Sequence, residues 1–116
     1  MRARAAELRV PWAALVGAAA AVALAATAAF GQDGGAVTER GKRLFIEQGC
    51  YGCHMIGKVG TPIAADLSQV GSKYPEAYLR QWLREPQQQK PRAHMPKIEM
   101  AEAEARALAV YLASLK

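Results

Sequence analysis

The chain has two cysteines, and both fall in the pentapeptide Cys50-Tyr51-Gly52-Cys53-His54. Two thiols at C-x-x-C spacing with a histidine directly after the second form the attachment pattern of c-type haem. Two thiols so placed reach the two vinyl groups on one edge of a single porphyrin, and each S–H adds across a C=C bond to leave a thioether. The imidazole of His54 then lies under the ring, where it can bind iron from one face. Tyr51 and Gly52 are spacers, and Gly52 is expected to let the backbone turn close to the porphyrin edge.

Two other chemistries share these residue types. A thiol–disulfide site also uses C-x-x-C, but normally beside a βαβ unit, and no alternating strand pattern occurs in this chain. Cys50, Cys53, His54 and His94 supply four donors of the kind that zinc takes. Adjacent ligands at 53 and 54, however, fit poorly around one tetrahedral ion. Haem is the favoured reading.

The N-terminus has a separate character. Arg2, Arg4 and Arg9 precede an uncharged apolar run from Val10 to Phe30, which Gly31, Gln32, Asp33, Gly34 and Gly35 break. Residues 1–31 therefore read as a signal peptide or an uncleaved membrane anchor, and 32–116 as the working domain. Twenty-one residues in a helix, at about 1.5 Å each, span a hydrocarbon core of about 30 Å. Eleven of them are alanine, which is only weakly apolar and makes lasting residence in lipid marginal. Ala26-Thr27-Ala28 and Ala29-Phe30-Gly31 are suitable peptidase sites. Both readings export the domain and keep the arginines in the cytoplasm, which makes the expected location periplasmic, free or tethered to the inner membrane through residues 10–30.

Removing 31 residues from 116 leaves 85, near the size at which one apolar core gives little stability. A buried porphyrin would supply the missing apolar volume. Residues 32–116 hold twelve Lys/Arg against nine Asp/Glu, a net +3. There is no basic run and no alternation of basic with aromatic residues, so nucleic-acid binding is not supported.

Apolar periodicity predicts three helices. The first covers Thr38 to Gln48, with Thr38 as N-cap, Gly49 as stop, and a face of Val37, Gly41, Leu44 and Phe45. The second covers Pro75 to Arg84, with Ser72 able to cap it, an apolar stripe of Tyr78, Leu79, Trp82 and Leu83, and Pro86 ending it. The third covers Ala101 to Leu115, with Ala105, Leu108, Ala109, Tyr111, Leu112 and Leu115 inward; Ala101 stands where a capping Ser or Asp is expected. Residues 55–71 and 86–96 read as loops rich in glycine and proline, with Leu67 and Val70 as core points in the former. The fold class is all-α.

An iron held by His54 has a second axial position. Met55 adjoins His54 and cannot reach the far face, and Met100 reads as a core contact. Met95 lies in a loop stiffened by Pro96, a good way to lay a soft thioether over a flat ring, and it is the expected sixth ligand. His94 is the alternative, and a vacant position the third option.

The order of elements resembles class I cytochrome c in its small bacterial monohaem form. It runs from a helix with Gly41 and Phe45, through C-x-x-C-H and a proline-containing loop, to a short helix with Trp82, then Met95-Pro96 and a last helix with Leu108 and Tyr111. The resemblance covers about residues 36–116. It implies a helical domain wrapped around one covalent haem c, with first and last helices crossing closely at Gly41. It also implies that a proline carbonyl beyond the haem motif accepts the hydrogen bond of the ligand imidazole, for which Pro62 is the match. The family stretch is a short Gly-Pro-x-Leu, and here Pro62 stands further from Leu67.

The function this implies is one-electron transfer, with no substrate on iron. The alternative is the haem c subunit of a larger membrane oxidoreductase; a gas-binding haem protein is a third. Expected partners are redox proteins with acidic docking surfaces, steered by Lys58, Lys73, Lys90, Arg92 and Lys97 in the segments that flank the haem.

Overall fold

The structure, a computed structural model, describes residues 34–116. The segment 1–31, expected to be a signal or an anchor, lies outside the described residues.

Helix α1 runs through residues 34–47. Thr38 is therefore inside it rather than at its cap. The Thr38 hydroxyl donates back to the Gly34 carbonyl at 3.0 Å, a bond available only within a helix. Gly49 ends the helix as expected, at φ 72°, a left-handed conformation that glycine adopts without strain. Leu44 and Phe45 are buried on the inner face.

A β-hairpin turns at Gly57 and pairs β1 (Met55–Ile56) with β2 (Val59–Gly60) antiparallel, Met55 opposite Gly60. Strands of two residues carry no periodicity, which is why this stretch reads as loop. One helical turn, α2 (Val70–Lys73), follows. It contains Ser72, so Ser72 does not cap the next helix. The N-cap position is Pro75, which makes no side-chain cap bond and leads through extended backbone into α3 (Glu76–Arg84). Pro86 then opens a further turn, α4 (Pro86–Gln89), where its missing N–H costs nothing.

The last helix, α5 (Glu102–Ala113), is the centre of the core. Its Ala105, Leu108, Ala109, Tyr111 and Leu112 are buried, as the periodicity predicts. Ala107 is buried too, because α1 crosses α5 there with backbone nearly on backbone. A Cβ on Gly41 would run into the Ala107 carbonyl and lie 2.6 Å from Tyr111 Cβ. Phe45 sits edge-on to Tyr51 at 4.7 Å and to Tyr111 at 6.1 Å between ring centroids. Leu79 and Leu83 of α3 complete the cluster from the other side.

The start of α5 is half capped. The Glu104 carboxylate accepts the Ala101 N–H at 3.1 Å, but alanine has no side-chain oxygen to return the bond. Exposed ion pairs tie α5 to its neighbours: Arg84 reaches Glu102 at 3.0 Å and Arg40 reaches Glu104 at 3.2 Å. Apart from β1 and β2, every regular element among the described residues is helical.

Candidate haem site

One cavity of about 640 Å³ opens between the segment after α1, the 63–67 loop, α3 and the 90–98 segment. Cys50, Cys53, His54 and Met95 all line it. They come from two segments forty-one residues apart in the sequence at their nearest, His54 to Met95, and the fold places all four on the wall of this cavity. Most of the remaining wall is apolar, including Phe45, Leu79, Leu83 and Leu108.

The pentapeptide is shaped by its own backbone. Residues Cys50–Gly52 form a 3-10 turn, in which the Cys50 carbonyl accepts the N–H groups of Cys53 at 3.2 Å and His54 at 3.0 Å. The left-handed residue of this turn is Gly49, not Gly52, which has neither a positive φ nor a crowded neighbour. Tyr51 is more than a spacer, since its ring packs on Phe45. Both cysteines are free thiols. Burial pushes the Cys50 thiol above its usual range, against an opposing hydrogen bond from its own backbone.

His54 is oriented from behind. Its Nδ1 lies 2.7 Å from the Ala65 carbonyl oxygen. A carbonyl only accepts, so Nδ1 carries the proton and Nε2 keeps its lone pair for a metal. The acceptor is thus Ala65 and not Pro62. In a Gly-Pro-x-Leu stretch the proline stands two before the leucine, and here that position, two before Leu67, is occupied by Ala65. Counting back from Leu67 rather than forward to the nearest proline is the signal that finds it.

The loop bearing Ala65 is laced to the haem motif by main-chain bonds. Ala64 N–H donates to the Cys53 carbonyl at 2.8 Å, and Leu67 N–H to the Met55 carbonyl at 2.9 Å. Gly60 passes so close to the His54 carbonyl that a side chain there would collide with it. The turn after Ala65 is closed by Asp66, whose Oδ1 accepts both the N–H and the hydroxyl of Ser68, at 2.8 and 2.6 Å. Those two bonds hold the Asp66 carboxyl below the usual carboxylate range. The Ser68 hydroxyl oxygen in turn accepts the Gly57 N–H at 2.7 Å, joining this turn to the hairpin.

Met95 is held by two side chains that the sequence does not single out as site residues. The Trp82 indole N–H points at Met95 Sδ, 3.0 Å away. The Gln87 amide donates to the carbonyls of Met95 at 3.0 Å and of Ala93 at 3.2 Å. The other ligand candidates separate as well. Met55 belongs to β1, and Met100 packs against the core without lining the cavity. His94 lines the cavity but is exposed.

This donor set fits a haem. It offers two free thiols, an imidazole with the correct tautomer and a soft thioether, all facing one apolar space. It does not fit zinc: among the described residues no three His, Cys, Asp or Glu side chains gather around a common point. Residues 38–116 match the family model described as cytochrome c. The chain belongs to the cytochrome c family. Its cofactor is therefore covalently attached haem c, with iron. The cytochrome is also 33% identical over 89 residues to cytochrome c oxidase subunit 2 of Alkalihalophilus pseudofirmus, which takes in 69% of this chain and 26% of that protein. The chain thus spans about a quarter of the length of that relative. No solved structure matches the chain.

Proposed function

We propose that this cytochrome is a one-electron carrier whose haem is held by thioethers from Cys50 and Cys53, with His54 and Met95 as axial ligands. The observation that carries the reading is the meeting of all four residues in a single apolar cavity. A bound haem iron supplies exchange of one electron between its ferric and ferrous states. The protein's contribution is to keep that exchange cheap in structural rearrangement. Ala65 fixes the imidazole by accepting its Nδ1 proton, the main-chain bonds fix the loop that carries Ala65, and Trp82 and Gln87 hold Met95. The apolar wall limits water around the donor atoms.

The cavity edge favours a negatively charged partner. Lys73 and Lys90 line it, are exposed, and pair with no carboxylate among the described residues. Lys97 is a weaker contributor than the sequence reading supposes, because Glu85 at 3.0 Å and Glu99 at 3.7 Å neutralise it. Steering by the remaining cations raises the encounter rate with an acidic surface at low salt.

A second reading places the domain as the haem c subunit of a larger membrane oxidoreductase, in the periplasm or on the outer face of a membrane. The similarity to an oxidase subunit favours it. Expression with a haem-attachment system, followed by visible spectra of both oxidation states with CO added to the reduced form, tests the ligation. A low-spin haem that ignores CO is expected, and Met95→Ala should open the site to CO. A wild-type haem that takes up CO would refute Met95 as ligand. Co-purification of a stable complex from membranes would favour the subunit reading over the free shuttle.

A further inference from the structure

We propose that Asp66 and Ser68 are positioning residues for His54: their side chains close a circuit of hydrogen bonds that keeps the Ala65 carbonyl on the imidazole and denies the Nδ1 proton to water. This rests on the reading that His54 binds iron.

The acceptor carbonyl has little of its own to hold it. Ala65 is exposed and lies between β2 and α2, where no regular element forms. Main-chain bonds anchor the segment on either side, Ala64 to Cys53 and Leu67 to Met55. Between those anchors, among the described residues, the N–H groups of Ala65 and Asp66 reach no main-chain carbonyl. The peptide unit that carries the acceptor oxygen joins Ala65 to Asp66, so its own N–H is one of those two. Residues 62–66 are exposed, and water competes for any N–H that the carbonyl releases.

Side chains fix this stretch from its far end. The Asp66 Oδ1 accepts the Ser68 N–H at 2.8 Å and the Ser68 hydroxyl at 2.6 Å. A hydroxyl that donates can still accept, and the Ser68 oxygen accepts the Gly57 N–H at 2.7 Å. Gly57 opens the two-residue loop of the hairpin at φ 61°, and its N–H is directed to Ser68 instead of across the ladder. It stands three residues after His54 in the chain. The path therefore leaves the His54 imidazole for Ala65, passes along the chain to Asp66, crosses through Ser68 to Gly57, and returns along β1 to His54. The two ends of the His54–Ala65 bond are thus tied to each other by a second route. Bonds accepted by a carboxylate are the stronger kind, and a hydroxyl that donates to one becomes a better acceptor for the next N–H.

The test uses the haem-loaded full chain, labelled with 15N and studied in its reduced form. It reads exchange with water of the His54 Nδ1 proton beside that of the Leu108 amide, which lies within the buried part of α5. Ser68→Ala removes the hydroxyl, and with it the bonds to Asp66 Oδ1 and from Gly57. One hydrogen bond corresponds to a roughly threefold to tenfold change in an equilibrium constant, so the Nδ1 proton should exchange about tenfold faster or more. The Leu108 amide exchanges through opening of the core and should keep its rate. Ser68→Thr retains the hydroxyl and should restore the protection of Nδ1. Asp66→Ala breaks the circuit at a second point and should give the same selective acceleration.

Equal acceleration of both protons means that these side chains only stabilise the fold, and overturns the proposal. A His54 proton that exchanges no faster in Ser68→Ala, or that is unprotected in the wild type, overturns it as well. If His54→Ala leaves the haem spectrum unaltered, the ligand reading itself is wrong and takes this proposal with it. An altered His54→Ala spectrum beside an unmoved Nδ1 exchange rate in Ser68→Ala and Asp66→Ala overturns the role of the circuit alone.

Discussion

An alanine at position 41 would place its methyl group against the Ala107 carbonyl, 2.6 Å from Tyr111 Cβ and 2.7 Å from the carbonyl carbon of Ala107. Non-bonded carbons are comfortable at about 3.5–4.0 Å, so α1 and α5 would have to part by about 1 Å. The obstacle is backbone in the middle of a helix and cannot rotate aside. Overpacking of this sort costs about 1–3 kcal/mol, and a rigid obstacle points to the upper end. Parting the helices also loosens Phe45 from Tyr111. Against this, alanine gains about 1 kcal/mol of helix propensity over glycine. The balance is a loss of about 2 kcal/mol, which for a domain of this size lowers the melting temperature by roughly 8–16 °C. Urea unfolding of the haem-loaded protein, followed by circular dichroism, measures it. Gly35→Ala is the control in the same helix: nothing lies within 4 Å of its added methyl, so it should be neutral or gain up to about 1 kcal/mol. A Gly41→Ala protein within about 0.5 kcal/mol of wild type, the scatter of surface changes, would refute the close crossing.

Other expected outcomes follow from single contacts. Ala101→Ser supplies the missing oxygen of the capping box at a residue already in cap geometry (φ −63°, ψ 152°), and should add about 1 kcal/mol in the same assay. Asp66 has its carboxyl held below the usual range by Ser68; a depressed folded value means its stabilisation is complete above the unfolded value of about 4 and fades as pH falls through the folded one. Thermal melts should therefore show Asp66→Asn less stable than wild type at neutral pH, with the gap closing in acid; a gap that persists or widens in acid would count against the Asp66 turn. Lys73→Glu combined with Lys90→Glu should slow electron transfer to an acidic redox partner by about tenfold or more at low ionic strength, and the difference should shrink as salt is added. A rate loss independent of salt would show that these lysines do not steer docking.

What could be read from the chain divides by the range of the forces involved. The inner faces of α1, α3 and α5 were legible because burial imposes a helical period on Leu44, Phe45, Leu79, Leu83, Leu108 and Leu112. The pentapeptide was legible because its chemistry is local. Met95 was legible from its neighbour Pro96 and its place before the last helix, and the cavity includes it. The supports were not legible. Trp82 looks like part of an apolar stripe and Gln87 like one of three similar glutamines, since a hydrogen bond across a cavity leaves no mark on sequence spacing. Ala65 acts through its main chain, so its side chain says nothing about the role. The helix boundaries at Thr38 and Ser72 fell elsewhere: the Thr38 hydroxyl, which could cap a helix, bonds within one instead, and Ser72 belongs to the separate turn α2.

The two walls of the cavity are fastened by different means. Around His54, main-chain groups bond to main-chain groups, and the glycine at 60 lets them close on one another. Around Met95, among the described residues, no main-chain group from residue 94 to 100 bonds to another main-chain group, and side chains of Trp82 and Gln87 pin the segment instead. One wall is woven and the other is buttoned. A woven wall tolerates exchange of its outward side chains other than Asp66 and Ser68, because its main-chain threads are common to every residue. A buttoned wall is retuned by changing a single button. Variation within such a scaffold can therefore adjust the thioether side, residue by residue, while the histidine side keeps its shape.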